Sequence, residues 1–304
     1  MASHVVLQHT THYRYDRTVR LGPQTLRLCP RPDTSPQVTD FRLEVSPGAH
    51  QLDFATDAYG NRVAWVRFAG PATEFRIDVS MTLELVDALT DVLTDALTDA
   101  SLQAPAHATP VHSVAAPARN STDAVLPAYR EPVGPNPVME AWLAQLLAQG
   151  AATSDLPAHL CAAVAQRLAY RVRQEPGVQM PDESLALGSG SCRDSAWLLM
   201  AMLRSAGWAA RFVSGYLVQT AGLGGHPEGR SDHSPADTGL HAWCEVHQPG
   251  AGWIGLDATS GQTIGAGHVA LACAPMPWQA APVEGSVEPC HVDFNHSIQV
   301  HLVK

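Results

Sequence analysis

The chain runs to 304 residues, 45% hydrophobic and 16% charged, with a formal net charge of −10. That profile describes a globular protein of two ordinary domains, or one domain with a large appendage. With no basic run in an acidic chain, nucleic acid is excluded as a partner, and with no apolar stretch of bilayer-spanning length, so is the membrane.

The start, "MASHVVLQHTTHYRYD", lacks the basic region and long apolar core of a signal peptide and reads as a strand. The six cysteines (Cys29, Cys161, Cys192, Cys244, Cys273, Cys290) form no CxxC pair, which favours reduced thiols over a disulfide framework. A soluble, cytoplasmic protein is expected.

Residues 1–86 form the first predicted unit. The runs "VVLQHTTHYRY", "QTLRLCPRP", "DFRLEVSP", "NRVAWVRFAG" and "EFRIDVSMTLELV" alternate apolar with polar residues, and Pro, Gly and Asp punctuate the gaps. "DAYGN" at 57–61 reads as a hairpin turn. The sum is an antiparallel β-sandwich. Residues 87–124 follow as a linker. They hold the repeat "LTDVLTDALTDA", either a short amphipathic helix or a low-complexity insertion, and the Ala- and Pro-rich "QAPAHATPVHSVAAPARNST".

Residues 125–304 open with helical signals. "NPVMEAWLAQLLAQG" sets Met139, Trp142, Leu143 and Leu146 at helical spacing, with proline in the first turn and Gly150 at the end. "SDLPAHLCAAVAQRLAYRV" places Leu160, Val164 and Leu168 on one face. After "GSGSCRDSAWLLMAML" come the strand-like "ARFVSGYLV", "HAWCEVHQ" and "GWIGLDATS", with the Gly-rich loop "GLGGHPEGRSDHSPADTG" between the first two. Helices followed by an antiparallel set predict an α+β second domain. The final "HSIQVHLVK" is positioned to return and pair with the N-terminal sheet.

Cys192 stands where "GSGS" meets an apolar helix. Ser191 and Asp194 fit a capping box, which puts Cys192 in the first helical position. There the unpaired N–H groups and the positive end of the macrodipole favour a thiolate and offer a site for an oxyanion. Arg193 adds to this effect and Asp194 opposes it. The plain alternative is a small buried thiol.

A nucleophilic cysteine needs a base, and the base needs an orienting group. In "HAWCEVHQPGAGWIGLDATSG", alternation puts His241, Trp243, Glu245 and His247 on one strand face and Ala242, Cys244 and Val246 on the other. The sequence leaves the register open; if the turn is a three-residue hairpin loop, Trp243 lies opposite Asp257 and His241 is its diagonal neighbour, within reach of a hydrogen bond. A one-residue slip abolishes the match. Asp257 also suits a turn-capping role before "ATSG".

The segments "GSCRDSAWLLMAMLRSAGWAARFVSGYL" and "HAWCEVHQPGAGWIGLDATSG" resemble the core of the bacterial transglutaminase-like superfamily, and the spacing Cys192–His241–Asp257 matches its Cys-His-Asp triad. "HTTHYRYDRTVRLGPQTLRLCPRP" and "DAYGNRVAWVRF" resemble the β-rich N-terminal domain of bacterial members. The sequence departs from the pattern at Ser195, where phenylalanine is common, at Cys244 (alanine) and at Ala258 (proline). "CAPMPWQAAPVEG" replaces a more polar segment, and the usual Pro- and aromatic-rich link is missing from 87–124.

The resemblance implies a papain-like α+β core and a thiol enzyme. In it Cys192 attacks an amide carbonyl to form a thioester, His241 shuttles the proton, and Asp257 orients His241. The backbone N–H of Cys192 serves the oxyanion, with a second, unnamed donor upstream. Trp243 either shields the site, lines the acyl groove or packs. A peptidase or amidase acting on a peptide or protein substrate is favoured, without cofactor or metal. The competing readings are a protein-glutamine transamidase, a non-catalytic peptide-binding module on the same fold, and a metal site built from Cys192, His241, Cys244 or His247, for which the ligand spacing is wrong.

Overall fold

A computed structural model describes residues 3–85, 126–149, 155–219 and 238–303. The LTD repeat, the Ala/Pro linker, Gly150 and nearly all of the Gly-rich loop with His226 and His233 lie outside those residues.

Six strands come first: β1 (Ser3–Val19), β2 (Leu21–Leu26), β3 (Gln37–Ser46), β4 (His50–Thr56), β5 (Arg62–Phe68) and β6 (Ala72–Leu85). The strand period decides their inner face. Phe75, Ile77, Val79, Met81 and Leu83 recur at every second position of β6 and are all buried, facing Leu26, Ala64 and Val66 from β2 and β5. β4, "HQLDFAT", carries too weak an alternation to stand out in the sequence and is only half-buried. It pairs with β5 across the predicted "DAYGN" turn, which Gly60 closes at φ +79°.

A 3-10 turn at Leu126–Tyr129 leads into α1 (Pro137–Ala148), α2 (Leu156–Arg167), the two-residue strand β7 (Ala169–Tyr170), α3 (Pro181–Leu187), the two-residue β8 (Ser189–Gly190) and α4 (Cys192–Ser205). The chain then forms β9 (Ala210–Leu217), β10 (Gly239–Gln248), β11 (Gly252–Asp257), β12 (Gln262–Thr263) and β13 (His268–Ala274). These five make one antiparallel sheet in the order β12-β11-β10-β9-β13. Ala196, Leu198, Leu199, Met200 and Leu203 of α4 are wholly buried in a core shared with Ala242, Cys244 and Val246 of β10. No helix among the described residues is long and apolar enough to cross a membrane.

After a second 3-10 turn (Pro277–Ala280), the chain leaves the core as β14 (Val283–Val287) and β15 (Val292–Leu302). β14 pairs with β2 and β15 runs along the length of β1, giving sheets β14-β2-β5-β4 and β15-β1-β6-β3. The strands that the sequence reading grouped with residues 125–304 thus complete the N-terminal sandwich, and the chain crosses between the two units twice.

Buried side chains lock the units together. Asn61, at the end of the "DAYGN" turn, grips β13: its Nδ2 donates to the Cys273 carbonyl at 2.8 Å and its Oδ1 accepts the Cys273 N–H at 2.8 Å. Its remaining capacity goes to Arg31 (2.6 Å) and Asp57 (2.9 Å). His9 of β1 reaches Tyr216 of β9 at 2.8 Å. With Asn61 fully buried, Asn61→Ala strands several partners at once and is expected to destabilise the protein by about 2–4 kcal/mol. Denaturant unfolding checks this, and a change below about 0.5 kcal/mol would show that the grip is dispensable.

Candidate active site

Cys192 is the first residue of α4, and Ser191 and Asp194 form the predicted capping box ahead of it. Asp194 accepts the Ser191 backbone N–H at 2.8 Å, and the Ser191 hydroxyl also donates to Asp194 at 2.8 Å. The buried carboxylate takes two further bonds from Arg173 (2.8 and 2.9 Å) and one from the Gln179 N–H (2.7 Å). Arg173 therefore neutralises the acid that the sequence reading set against a thiolate. The Arg193 guanidinium donates to the carbonyls of Arg173 (3.0 Å) and Glu175 (3.1 Å).

The approach to Cys192 has to be glycine. A Cβ at Gly190 falls 2.9 Å from the Cβ of Asp194 and 3.2 Å from Gln179 Oε1. The small residues of "GSGS" hold the chain close against the helix start, where the first backbone N–H groups have no partner within the helix.

The β10–β11 hairpin has the three-residue loop. Cys244 faces Leu256, Glu245 faces Gly255, and Gln248 faces Gly252 across residues 249–251. Continued by one pair, this register sets Trp243 opposite Asp257 and makes His241 its diagonal neighbour. The side chains close that diagonal: His241 Nε2 donates to Asp257 Oδ2 at 2.9 Å, with both residues buried. The other carboxylate oxygen, Oδ1, accepts the Thr259 N–H (2.9 Å) and hydroxyl (2.7 Å). Asp257 thus bonds to a histidine across the hairpin and to the turn that follows its own strand at once. From behind, the Cys161 thiol of α2 donates to the Asp257 carbonyl at 3.3 Å.

The electrostatics follow from this packing. Burial works against the His241 imidazolium, but the hydrogen bonds with Asp257 and Cys192 outweigh it and push its pKa up to about 10. Burial alone would raise the Asp257 carboxyl; the bonds from His241 and His268 instead hold it well below the usual carboxylate range. Since Nε2 faces Asp257, Nδ1 is the ring nitrogen left for the Cys192 thiol. The three predicted residues therefore meet in the order Cys192, His241, Asp257.

Other candidates do not join them. Trp243 is fully buried and stacks on the His241 ring at 6.5 Å between centroids, so it walls the histidine and lines no open groove. Gly215 makes room for it, since a Cβ there falls 2.5 Å from the indole. Cys244 faces α4, and burial raises its pKa well above the ordinary thiol value. His247 lies against Trp253 at the far end of β10. Glu245 pairs with Arg211 at 2.5 Å. The metal set of Cys192, His241, Cys244 and His247 thus never converges.

One residue at the site had no signal in the sequence reading. His268 of β13 places its Nε2 3.4 Å from Asp257 Oδ2. Two strands separate β11 from β13, so a flat sheet would hold them about 14 Å apart. The sheet curls at this end, and only the strand order reveals the contact.

Residues 140–258 match the transglutaminase-like superfamily core and residues 5–84 match the bacterial transglutaminase-like N-terminal region. Uncharacterized proteins of Mycobacterium bovis and Mycobacterium tuberculosis are each 26% identical over 268 residues, spanning 84% of this chain and 78% of theirs. A crystal structure from Cytophaga hutchinsonii, of a protein provisionally named a cysteine protease, aligns over 100% of this chain and 92% of its own with a TM-score of 0.67 at 14% identity. That likeness speaks for the fold. On the two matched regions, the chain belongs to the transglutaminase-like superfamily, with a bacterial transglutaminase-like N-terminal region ahead of the core.

Proposed function

We propose that this protein is a thiol enzyme acting on peptide or amide carbonyls, with Cys192 as nucleophile, His241 as proton shuttle and Asp257 as its orienting carboxylate. The observation that carries the reading is the His241 ring, held at Nε2 by a buried carboxylate while its other nitrogen meets a thiol at a helix start.

In the resting pair the thiol proton already sits on His241 Nδ1, and in the first half-reaction the sulfur anion bonds to the carbonyl carbon. The oxyanion of the tetrahedral intermediate lies against the first-turn N–H groups of α4. Collapse breaks the C–N bond, and the imidazolium returns its proton to the departing amine. The product is a thioester on Cys192. Water, activated by His241, then cleaves it, releasing the acid and restoring the thiol.

An amine in place of water gives transamidation. We favour water because the site is closely walled: Cys192 and His241 are 9% and 7% exposed, and a small acceptor reaches a covered thioester more readily than a second macromolecule. A peptide or protein chain is the proposed substrate, and nucleic acid an unsuitable one at net charge −10. The six cysteines are all free, which supports a reducing compartment such as the cytoplasm.

An activity screen with peptide and glutamine-donor substrates, with and without a primary amine, tests the reading. Cys192→Ser is expected to lose at least about a thousandfold in kcat/KM, whereas undiminished turnover in this variant would favour the binding-module alternative. Acid release that is indifferent to added amine marks a hydrolase, and amine incorporation marks a transamidase.

The pH dependence has a definite sign. A raised histidine pKa keeps the imidazolium protonated through neutrality, so proton return to the leaving amine persists and is lost only as pH rises through about 10. Asp257→Asn removes the charge that supports the imidazolium and should move this alkaline limb of kcat down towards about 6.5. An alkaline limb in the same place in both proteins would refute the role given to Asp257.

A further inference from the structure

His268 belongs to no part of the mechanism above, lies beyond the matched core at 140–258, and yet shares an oxygen with His241. Its Nδ1 accepts the Gly265 N–H at 3.2 Å. That bond settles the tautomer: Nδ1 carries the lone pair, Nε2 carries the proton, and the proton points at Asp257 Oδ2. The ring is also held edge-on, 5.3 Å from the Trp243 ring and 5.9 Å from that of His241.

The ligating atoms of His241, Asp257 and His268 lie within 4.8 Å of one another, a spacing that also suits a cation. The Gly265 bond argues against one, because a metal on Nε2 would need that nitrogen's lone pair and would set an N–H of the ring against the Gly265 N–H.

We infer that His268 is a positioning residue: donating to Oδ2, it fixes the rotation of the Asp257 carboxylate and thereby aims His241 at Cys192. Thr259 holds Oδ1 through two bonds, so the two ends of the carboxylate are pinned from different elements. His268 is in turn placed by β13, the strand that Asn61 of the N-terminal sandwich grips at Cys273. The N-terminal unit therefore reaches the site through His268. The inference rests on the Cys192–His241–Asp257 reading and goes beyond it.

The test needs no substrate. The full chain is reacted with iodoacetamide at neutral pH, and the rate at Cys192 is followed by site-resolved mass spectrometry in wild type, His241→Ala, His268→Ala, His268→Gln and His268→Asn. Glutamine keeps an N–H near the Nε2 position; asparagine keeps an acceptor for Gly265 but falls short of Asp257.

His268→Ala and His268→Asn are expected to slow alkylation by about tenfold, the effect of a misaimed base, while His268→Gln stays within about twofold of wild type. His241→Ala should be slower than any of them. A wild-type rate in His268→Asn, or equal slowing in the Gln and Asn variants, overturns the inference. If His268→Ala does not fold, the Gln and Asn pair decides; if neither of those folds, His268 is a folding residue and the inference is likewise overturned. Loss of any difference between wild type and His241→Ala instead strikes the parent reading, a separate outcome.

Discussion

Asp257 divides its two oxygens between two tasks, and the site depends on that division. Oδ1 closes the turn after β11 through Thr259, which fixes the carboxylate to the backbone. Oδ2 is thereby aimed across the hairpin at His241 and, over the curl of the sheet, at His268. A buried carboxylate without such donors would be costly and would take up a proton. With them it stays charged, and its charge keeps the buried imidazole of His241 protonated against the cost of burial. The thiol at the start of α4 then faces a ring whose orientation and charge are set by groups behind it.

The rest of the fold supplies rigid supports for these few atoms. α4 is buried nearly all round, so its first residue has little freedom, and the Arg173–Asp194 pair secures the turn that delivers it. β10 presents alternate residues to two different cores: Cys244 and Ala242 go under α4, while Trp243 enters the small cluster with Val213, Ala270 and Cys273. The N-terminal sandwich is joined to the core by the Asn61 grip on β13 and by the return of β14 and β15 to its own sheets. The strand it holds begins with His268, which touches Asp257.

Much of this is local in sequence and was legible there. The period of two in β6 and β10, the small residues before Cys192 and the three-residue loop after Gln248 each constrain neighbours only a few residues apart. The His241–Asp257 contact is permitted by such a loop, and the structure supplies the register that the sequence leaves open. What sequence could not give depends on the order of distant strands. His268 meets Asp257 because β13 adds beyond β9 and the sheet curls; Arg173 meets Asp194 because α3 and its flanking turns fold back on α4. β4 is hard to see in sequence because an exposed edge strand alternates weakly, and the three roles open to Trp243 stay open there because alternation gives a face but not how deeply it is buried.

The central claim is that Asp257 holds His241 as an imidazolium beside Cys192. A nuclear magnetic resonance titration of the His241 ring nitrogens, in the intact chain and without substrate, addresses it directly. The ring should stay doubly protonated through neutral pH and release its proton near pH 10. Release near about 6.5, the value of an unassisted histidine, would contradict the account.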